Sequence, residues 1–464
     1  MKHLGIIILA AGLGKRMNSS LPKVLHRIGG KPLVSYPLKI ARALNPNKIA
    51  VVVGHGAESV RQACNEDGIY WVLQEKQLGT GHAAACAKKV FGEFSGHLLI
   101  LNGDLPLITR DFLLGLLRHH SNQDATLTFV TARLRDPYGY GRILRDADGK
   151  VIGIVEEKDA TDTQKKLTEI NAGIYAVSSD FLFAALQGLT NSNRQQEYYL
   201  TDIVAAALNA GKRVGTVEAK DAREIMGINT REELALMEKI LQERINRRWM
   251  EAGVTLKDPQ TIYIDEGVRI GKDTIIGPNT HLLGDTVIGE RCRIDGTAYL
   301  TNMRLANDIH LRFSVVMADS RIEDGAIVGP FAHLRPGAHL GRRVHLGNFV
   351  EAKQATIGDG SKANHLSYLG DVTVGRDTNI GAGTITCNYD GFNKYRTTIG
   401  DRVQVGSDST LVAPVSLGDD VYVATATTIR HDVPAGALVY NERVEKVKEG
   451  WTEQKRNKME KVKA

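Results

Sequence analysis

At 464 residues the chain exceeds what one ordinary hydrophobic core serves, so two or three domains are expected, with two the working number. With 42% hydrophobic and 24% charged residues the composition is globular, which argues against disorder over most of the length. The 59 basic residues face 53 acidic ones, too mild an excess to assign a nucleic-acid partner, and four cysteines with no C-x-x-C spacing argue against a zinc cage or a disulfide framework.

The first element, Ile6 to Leu9, is far too short to span a bilayer and ends in a glycine loop rather than a cleavage site. No other segment could cross a membrane, so no membrane insertion is expected, and the cysteine usage fits a cytoplasmic location. Leu9-Ala10-Ala11-Gly12-Leu13-Gly14-Lys15-Arg16-Met17 follows. Small residues there let backbone N–H groups approach phosphate oxygens, while Lys15 or Arg16 neutralises their charge, and Pro22-Lys23 adds a cation. A Walker loop would need G-x-x-x-x-G-K-[S/T], and a Rossmann fingerprint a third glycine where Met17 stands. A glycine pair alone could equally be a structural turn.

Ile49 to Val53, Leu98 to Leu101 and Leu127 to Val130 read as further strands. Their continuous apolar runs alternate with helix-like stretches, which predicts a Rossmann-like α/β domain with a mostly parallel sheet. Ligands of such sheets bind beyond the carboxyl ends of strands. There the run Leu98 to Leu101 ends in Asn102-Gly103-Asp104, a carboxylate where Mg²⁺ is commonly recruited to bridge phosphates.

From Thr230 to Glu251, Leu234, Met237, Leu241, Ile245 and Trp249 make one helical stripe, with Thr230 as N-cap, Glu233 completing a capping box and Gly253 as the stop. The period then becomes six. Ile264, Ile270, Ile276, Leu282, Ile288, Ile294 and Leu300 keep it, then Ile322, Val328, Leu334, Leu340 and Leu346, then Ile399, Val405, Leu411, Leu417, Val423 and Ile429. Glycine often follows the aliphatic residue, as in Ile276-Gly277. One inward aliphatic per six, with small residues turning the corners, predicts a left-handed parallel β-helix of hexapeptide repeats. Breaks near 301–320 and 384–398 mark loops or a lost register, the second projecting as a loop over a neighbour. Lysines from Lys446 to Lys463 alternate with Glu449, Glu453 and Glu460, as in a solvated, partly disordered tail. The expected division is 1–229, a connecting helix 230–252, the β-helix 253–445 and the tail 446–464.

Leu9-Ala-Ala-Gly-x-Gly-x-Arg-Met, Leu21-Pro-Lys-Val-Leu, Gln74-x-x-x-Leu-Gly-Thr-Gly-His82 and Gly103-Asp-Leu-Pro resemble the sugar-nucleotide pyrophosphorylases. Gly139-Tyr-Gly-Arg-Ile, Val155-Glu, Glu169-Ile-Asn-Ala-Gly, Glu197-Tyr-Tyr-Leu-Thr-Asp and Gly227-Ile-Asn narrow the match. It is to the bifunctional N-acetylglucosamine-1-phosphate uridyltransferases and glucosamine-1-phosphate N-acetyltransferases, from about residue 4 to 451. By that resemblance Leu9, Ala10, Ala11, Gly12, Gln74, Gly79 and Thr80 hold the nucleotide, the last three recognising uracil. Gly141, Glu156, Asn171 and Thr201 hold the sugar, Arg16 and Lys23 act on the phosphates, and Asp104 and Asn229 bind Mg²⁺.

In the C-terminal half, Gly360-Ser-Lys-Ala-Asn-His-Leu-Ser-Tyr-Leu-Gly370 and Thr386-Cys-Asn-Tyr-Asp-Gly391 resemble that family's acetyltransferase motifs. His365 is thereby implied as general base, with Glu351 orienting it. Imidazole titrates near neutrality, which suits the task. Arg335 and Lys353 would bind the sugar phosphate, and Tyr368, Asn379, Asn388 and Tyr389 would fix the sugar. Acetyl-CoA would lie in a groove between subunits near Ala382, Ser407 and Thr425, reached by Asn388 and Tyr389. The Ala382 N–H is the oxyanion donor and Ser407 the proton donor to the leaving thiolate. Thr425 stands where the family commonly has alanine. Arg443 matches its late CoA-binding arginine if one residue is inserted, and Glu442 falls there otherwise.

The resemblance implies UDP-N-acetylglucosamine diphosphorylase and glucosamine-1-phosphate N-acetyltransferase activities using UTP and acetyl-CoA. It further implies a product feeding peptidoglycan and lipopolysaccharide precursors, and a homotrimer. Two other readings remain: a nucleotidyltransferase with a merely structural β-helix, and a sugar-nucleotide sensor. His365, Arg335 and Lys353 discriminate against the first, and the phosphate and metal groups around Asp104 against the second.

Overall fold

The computed structural model describes residues 3–64, 66–442 and 444–463. They fall into two compact units, Met1–Ile245 and Asn246–Ala464, the division lying inside the helix Arg231–Glu251. Among the described residues no helix is long and apolar enough to cross a membrane, and the four cysteines are free.

In the first unit the central sheet runs Val214–Glu218, Leu127–Arg133, Glu169–Ser178, His97–Asn102, Leu4–Ala10, Lys48–Val53, Ile69–Leu73. Glu169–Ser178 is antiparallel to both its neighbours and the other pairs along this path are parallel, so the sheet is mixed. Successive residues of Leu4–Ala10 serve opposite layers. Ile6 and Ile8 pack in one cluster with Leu38 and Leu113, whereas Ile7 packs in the other with Phe91 and Leu182. Burial on both faces explains the unbroken apolar run, because neither face is left to water.

Beneath this sheet lies a buried polar chain. His120 Nε2 is 3.0 Å from His97 Nδ1, and His120 Nδ1 is 2.8 Å from the Thr128 hydroxyl. His120 is fully buried, and burial followed by the neighbouring His97 and His119 holds its pKa down at about 4. Below its ordinary value near 6.5 the unfolded chain takes up a proton that the native chain refuses until about pH 4. Stability therefore falls as pH drops through that window, by up to about 3 kcal/mol. Urea unfolding at pH 7 and pH 4.5 should show the loss, and His120→Gln should flatten the slope.

The helix Arg231–Glu251 begins in a reciprocal cap, with the Glu233 N–H donating to Thr230 Oγ1 (3.1 Å) and the Thr230 N–H to Glu233 Oε2 (3.1 Å). Its stripe buries Met237, Leu241 and Ile245. It ends before Gly253, whose φ of +90° an L side chain would strain.

Three parallel sheets of 11, 10 and 9 strands form the second unit, each strand pairing with one a coil away. Ile276 pairs with Ile294, then Leu311, Val328, Leu346, Ala363 and Ile380, so a coil takes 17 or 18 residues. Every aliphatic residue of the three hexad runs is buried. The break near 301–320 holds no projecting loop: Leu305, Leu311, Met317 and Ile322 continue the buried column, with five-residue steps from Leu300 and from Met317. The second break is a true excursion. Ile380 pairs with Val405, 25 residues on, and residues 388–396 lie outside the named strands.

Gly284, Gly325, Gly337, Gly360 and Gly383 do stand at left-handed corners, but the glycines that directly follow the inward aliphatic residues serve another purpose. Left-handed corner residues include Asp273, Asn279, Arg291, Asn302 and Asp308, short polar side chains prominent among them. Gly277, by contrast, would place a Cβ 2.2 Å from the Asp295 carbonyl oxygen, so what excludes a side chain is the next coil. The expected loose tail instead contains a helix, Trp451–Lys463, exposed over residues 451–461.

Candidate active sites

In the first unit, the chain leaves Leu4–Ala10 at its carboxyl end into Ala11-Gly12-Leu13-Gly14 and one 3-10 turn, Lys15–Met17. Gly14 has φ +60°, and a Cβ there would lie 2.6 Å from Lys23 Cβ, so the fold itself requires it. Gly12 differs, since a Cβ there would meet nothing within 4 Å. No contact within the described fold excludes a side chain at Gly12. Gly12→Ala should leave the unfolding midpoint unchanged while raising the KM for a bound nucleotide about tenfold, the equivalent of ~1.4 kcal/mol of lost approach. Thermal unfolding and steady-state kinetics on the one variant check both halves.

This loop opens on a cleft of about 620 Å³ whose lining includes all of Leu9, Ala10, Ala11, Gly12, Arg16, Lys23, Gln74, Gly79, Thr80, Asp104, Gly141, Glu156, Asn171, Thr201 and Asn229. Asp104 follows the strand His97–Asn102, where the Gly103 N–H donates to the Leu9 carbonyl (2.8 Å) and ties the two strand ends together. Lys23 Nζ lies 2.5 Å from Asp104 Oδ2 and 3.1 Å from Asn229 Oδ1. Two oxygen groups from distant parts of the chain thus converge on one cation. A Cβ on Gly227 would stand 3.0 Å from Asp104 Oδ2, so that residue clears the space beside the carboxylate.

At the other end of the cleft the Thr201 hydroxyl donates to Glu156 Oε1 (2.9 Å). Burial, aided by Asp202, Asp159 and Glu197, pushes the Glu156 carboxyl above its usual range. Asn171 donates to the Tyr175 hydroxyl (2.7 Å) and accepts from the Gly173 N–H (3.2 Å), which fixes its amide. Gln74 Nε2 donates to the Gly79 carbonyl (3.1 Å), and Thr80 Oγ1 accepts from the Leu200 N–H (3.0 Å). Gln77, Tyr140 and Glu197 also line the cleft and were not singled out from sequence. Tyr140 and Glu197 stood inside the motifs Gly139-Tyr-Gly-Arg-Ile and Glu197-Tyr-Tyr-Leu-Thr-Asp, which was the available signal. Burial, then Glu233 and Asp104, pushes the Tyr140 phenol up to about 12.

In the second unit, stacking lines residues up coil on coil. Asn348 pairs with His365. The Asp408 N–H donates to the Ala382 carbonyl, and the Ala426 N–H to that of Ser407, both at 2.7 Å, which continues the same edge through Thr425. His365, Ala382, Ser407 and Thr425 thus occupy one edge of the prism. On the sheet after that edge Glu351 pairs with Tyr368 and Lys353 with Gly370, while Asn379, next to Lys362, belongs to the sheet before it. Arg335 Nη1 donates to Glu351 Oε1 (3.0 Å), and Lys353 Nζ is 3.7 Å from Asp371 Oδ2. Asn388 is buried and donates to Asp371, whereas Tyr389 is exposed at the root of the excursion.

One expected partnership is different. Glu351 is held by Arg335, and the group that contacts His365 is Asn348, whose Oδ1 lies 2.8 Å from His365 Nδ1. Lys394, on the excursion, was also missed. The adjacent Lys353 holds its ammonium pKa down, so the two cations together suit an anion. Arg443 lies outside the described residues.

Residues 6–191 match the family of MobA-like NTP transferase domains. Residues 267–302 match the bacterial transferase hexapeptide of six repeats, and 396–429 the hexapeptide repeat of succinyl-transferase. Among curated proteins, the bifunctional protein GlmU of Geotalea uraniireducens is 48% identical over 97% of this chain and 99% of its own. That of Pelobacter propionicus is 48% identical over 97% and 98%, and that of Geobacter sulfurreducens 47% over 98% and 100%.

Proposed function

The chain belongs to the family of bifunctional GlmU proteins, and from that membership and the chemistry of its two sites we propose how each half works. The enzyme is a double transferase. Its C-terminal unit moves an acetyl group from acetyl-CoA to the amine of glucosamine 1-phosphate. Its N-terminal unit transfers uridylate from UTP to the resulting N-acetylglucosamine 1-phosphate, releasing pyrophosphate. The product is UDP-N-acetylglucosamine. The observation that carries this reading is the single cleft in which a cationic glycine loop, the Asp104–Lys23–Asn229 cluster and the buried Glu156–Thr201 pair meet.

In that cleft a phosphate oxygen of the sugar phosphate attacks the α-phosphorus of UTP in line with the departing pyrophosphate, and the task is to stabilise spread negative charge. Arg16 and Lys23 neutralise the phosphates, and the backbone at Ala11 and Gly12 admits them closely. Gln74, Gly79 and Thr80 face the uracil. Glu156 and Asn171, each fixed by a buried partner, take the sugar's hydroxyls and acetamido group beside Gly141 and Thr201. Asp104 and Asn229 fit Mg²⁺, because their oxygens already converge on one cation and hard oxygen donors suit that ion. Mg²⁺ ordinarily keeps several waters and substrate phosphates, so two protein oxygen donors suffice for it. When bound, Mg²⁺ supplies charge neutralisation across the phosphates.

Along the prism edge, His365 removes the proton from the sugar amine as nitrogen attacks the thioester carbonyl. Arg335 and Lys353 hold the sugar phosphate, and Tyr368 and Asn379 orient the ring. The Ala382 N–H faces the oxyanion and Ser407 returns a proton to the thiolate, with Asn388, Tyr389 and Thr425 along the CoA. The groove is completed by neighbouring copies in a homotrimer. A ladder of exposed rings on the same edge, Phe313, Phe331 and Phe349, supports that assembly, since neighbouring rings lie 6.0 and 5.3 Å apart.

Purified protein tests the whole reading. Glucosamine 1-phosphate with acetyl-CoA should release CoA, and N-acetylglucosamine 1-phosphate with UTP and Mg²⁺ should release pyrophosphate. Absence of the first release with the second intact would leave a nucleotidyltransferase carrying a structural prism.

A further inference from the structure

We infer that Asn348 is the positioning residue of the acetyl-transfer site: its amide oxygen holds His365 in the tautomer whose Nε2 carries the lone pair. This rests on the reading of His365 as the base. Asn348 and His365 are register partners on adjacent coils, and Asn348 Oδ1 lies 2.8 Å from His365 Nδ1. An amide oxygen accepts and never donates, so the proton sits on Nδ1 and Nε2 is left free on an exposed side chain.

The choice of an amide is informative because the same fold places carboxylates beside histidines elsewhere. His310 Nε2 lies 2.8 Å from Asp295 Oδ2, and His339 Nε2 lies 3.2 Å from Glu323 Oε1. A carboxylate behind His365 would favour the imidazolium and leave less of the neutral form that accepts a proton. The neutral Asn348 fixes direction without adding that bias. Glu351, the acid expected for the task, is committed to Arg335. His345 interacts with His365 and in turn with Arg312 and Lys362, and all of these are retained in the variants below.

Asn348→Ala should lower kcat for acetyl transfer about 10- to 100-fold. The KM for acetyl-CoA and for glucosamine 1-phosphate should stay within about twofold, since Asn348 is assigned no substrate contact. Asn348→Asp should retain more rate at high pH but move the acid limb of kcat/KM upward by about one unit, because a carboxylate stabilises the protonated ring. Nitrogen-15 NMR should find His365 protonated at Nδ1 in the parent and mixed between its nitrogens in Asn348→Ala. Uridylyl transfer and the unfolding midpoint report that each variant is folded. Parental kcat with an unchanged Nδ1–H signal in folded Asn348→Ala would overturn the inference while sparing the base. Full acetyl transfer by His365→Ala would overturn both.

Discussion

Replacing His365 with alanine is expected to cut CoA release from acetyl-CoA and glucosamine 1-phosphate by about 10²- to 10⁴-fold, the usual worth of a positioned general base. The amine of the sugar is protonated or hydrogen-bonded to water until a base takes its proton, and no other assigned group on this edge accepts one. On the edge the Ala382 N–H donates and Ser407 is assigned to the thiolate, while on the adjoining sheet Arg335 and Lys353 donate and Glu351 is held by Arg335. Because His365 lies in the second compact unit and the uridylyl cleft in the first, pyrophosphate release should remain within about twofold of the parent. The side chain is exposed on the prism edge, so its loss removes no core packing. Assaying both products on the same preparation settles the matter, and acetyl transfer at a tenth or more of the parental rate would remove His365 from the mechanism.

Asp104→Ala should do the reverse, lowering pyrophosphate release about 10³-fold and leaving acetyl transfer untouched. Asp104 supplies the carboxylate that contacts Lys23, so its removal leaves the Lys23 ammonium, now 2.5 Å from Oδ2, without that counter-charge. Asp104→Asn separates charge from shape. It retains the volume and one oxygen, and should recover less than a tenth of the lost rate if charge is what matters. Simultaneous loss of both activities in either variant would indicate damage to the fold rather than to the site.

The prism was legible because one inward side chain per side imposes a spacing that no helix or ordinary strand shares, and Ile264 through Leu300 display it without interruption. What hid the rest was the five-residue step. Leu305, Leu311 and Met317 are as buried as their neighbours, yet one missing residue at a corner breaks the period to the eye. The same irregularity concealed Asn348, whose partnership with His365 exists only once the coil length between them is known. In the first unit the buried runs announced strands but not their direction, and so the antiparallel Glu169–Ser178 was invisible. The groups of the nucleotide cleft were legible through motif resemblance. The position of Lys23 between Asp104 and Asn229, drawn from three distant segments, was not.

The coils of 17 and 18 residues carry a consequence for how this domain can change over time. Losing one residue at a corner alters a single layer and leaves every layer above and below facing the same way. Removing an entire layer, by contrast, would slide all later side chains by about 4.8 Å along the axis without rotating them. Asn348 and His365 sit on consecutive layers, so between them neither kind of change is free: the dyad acts as a ratchet that locks the count of layers at that point, while the stretch before Phe313 could gain or lose turns without disturbing it.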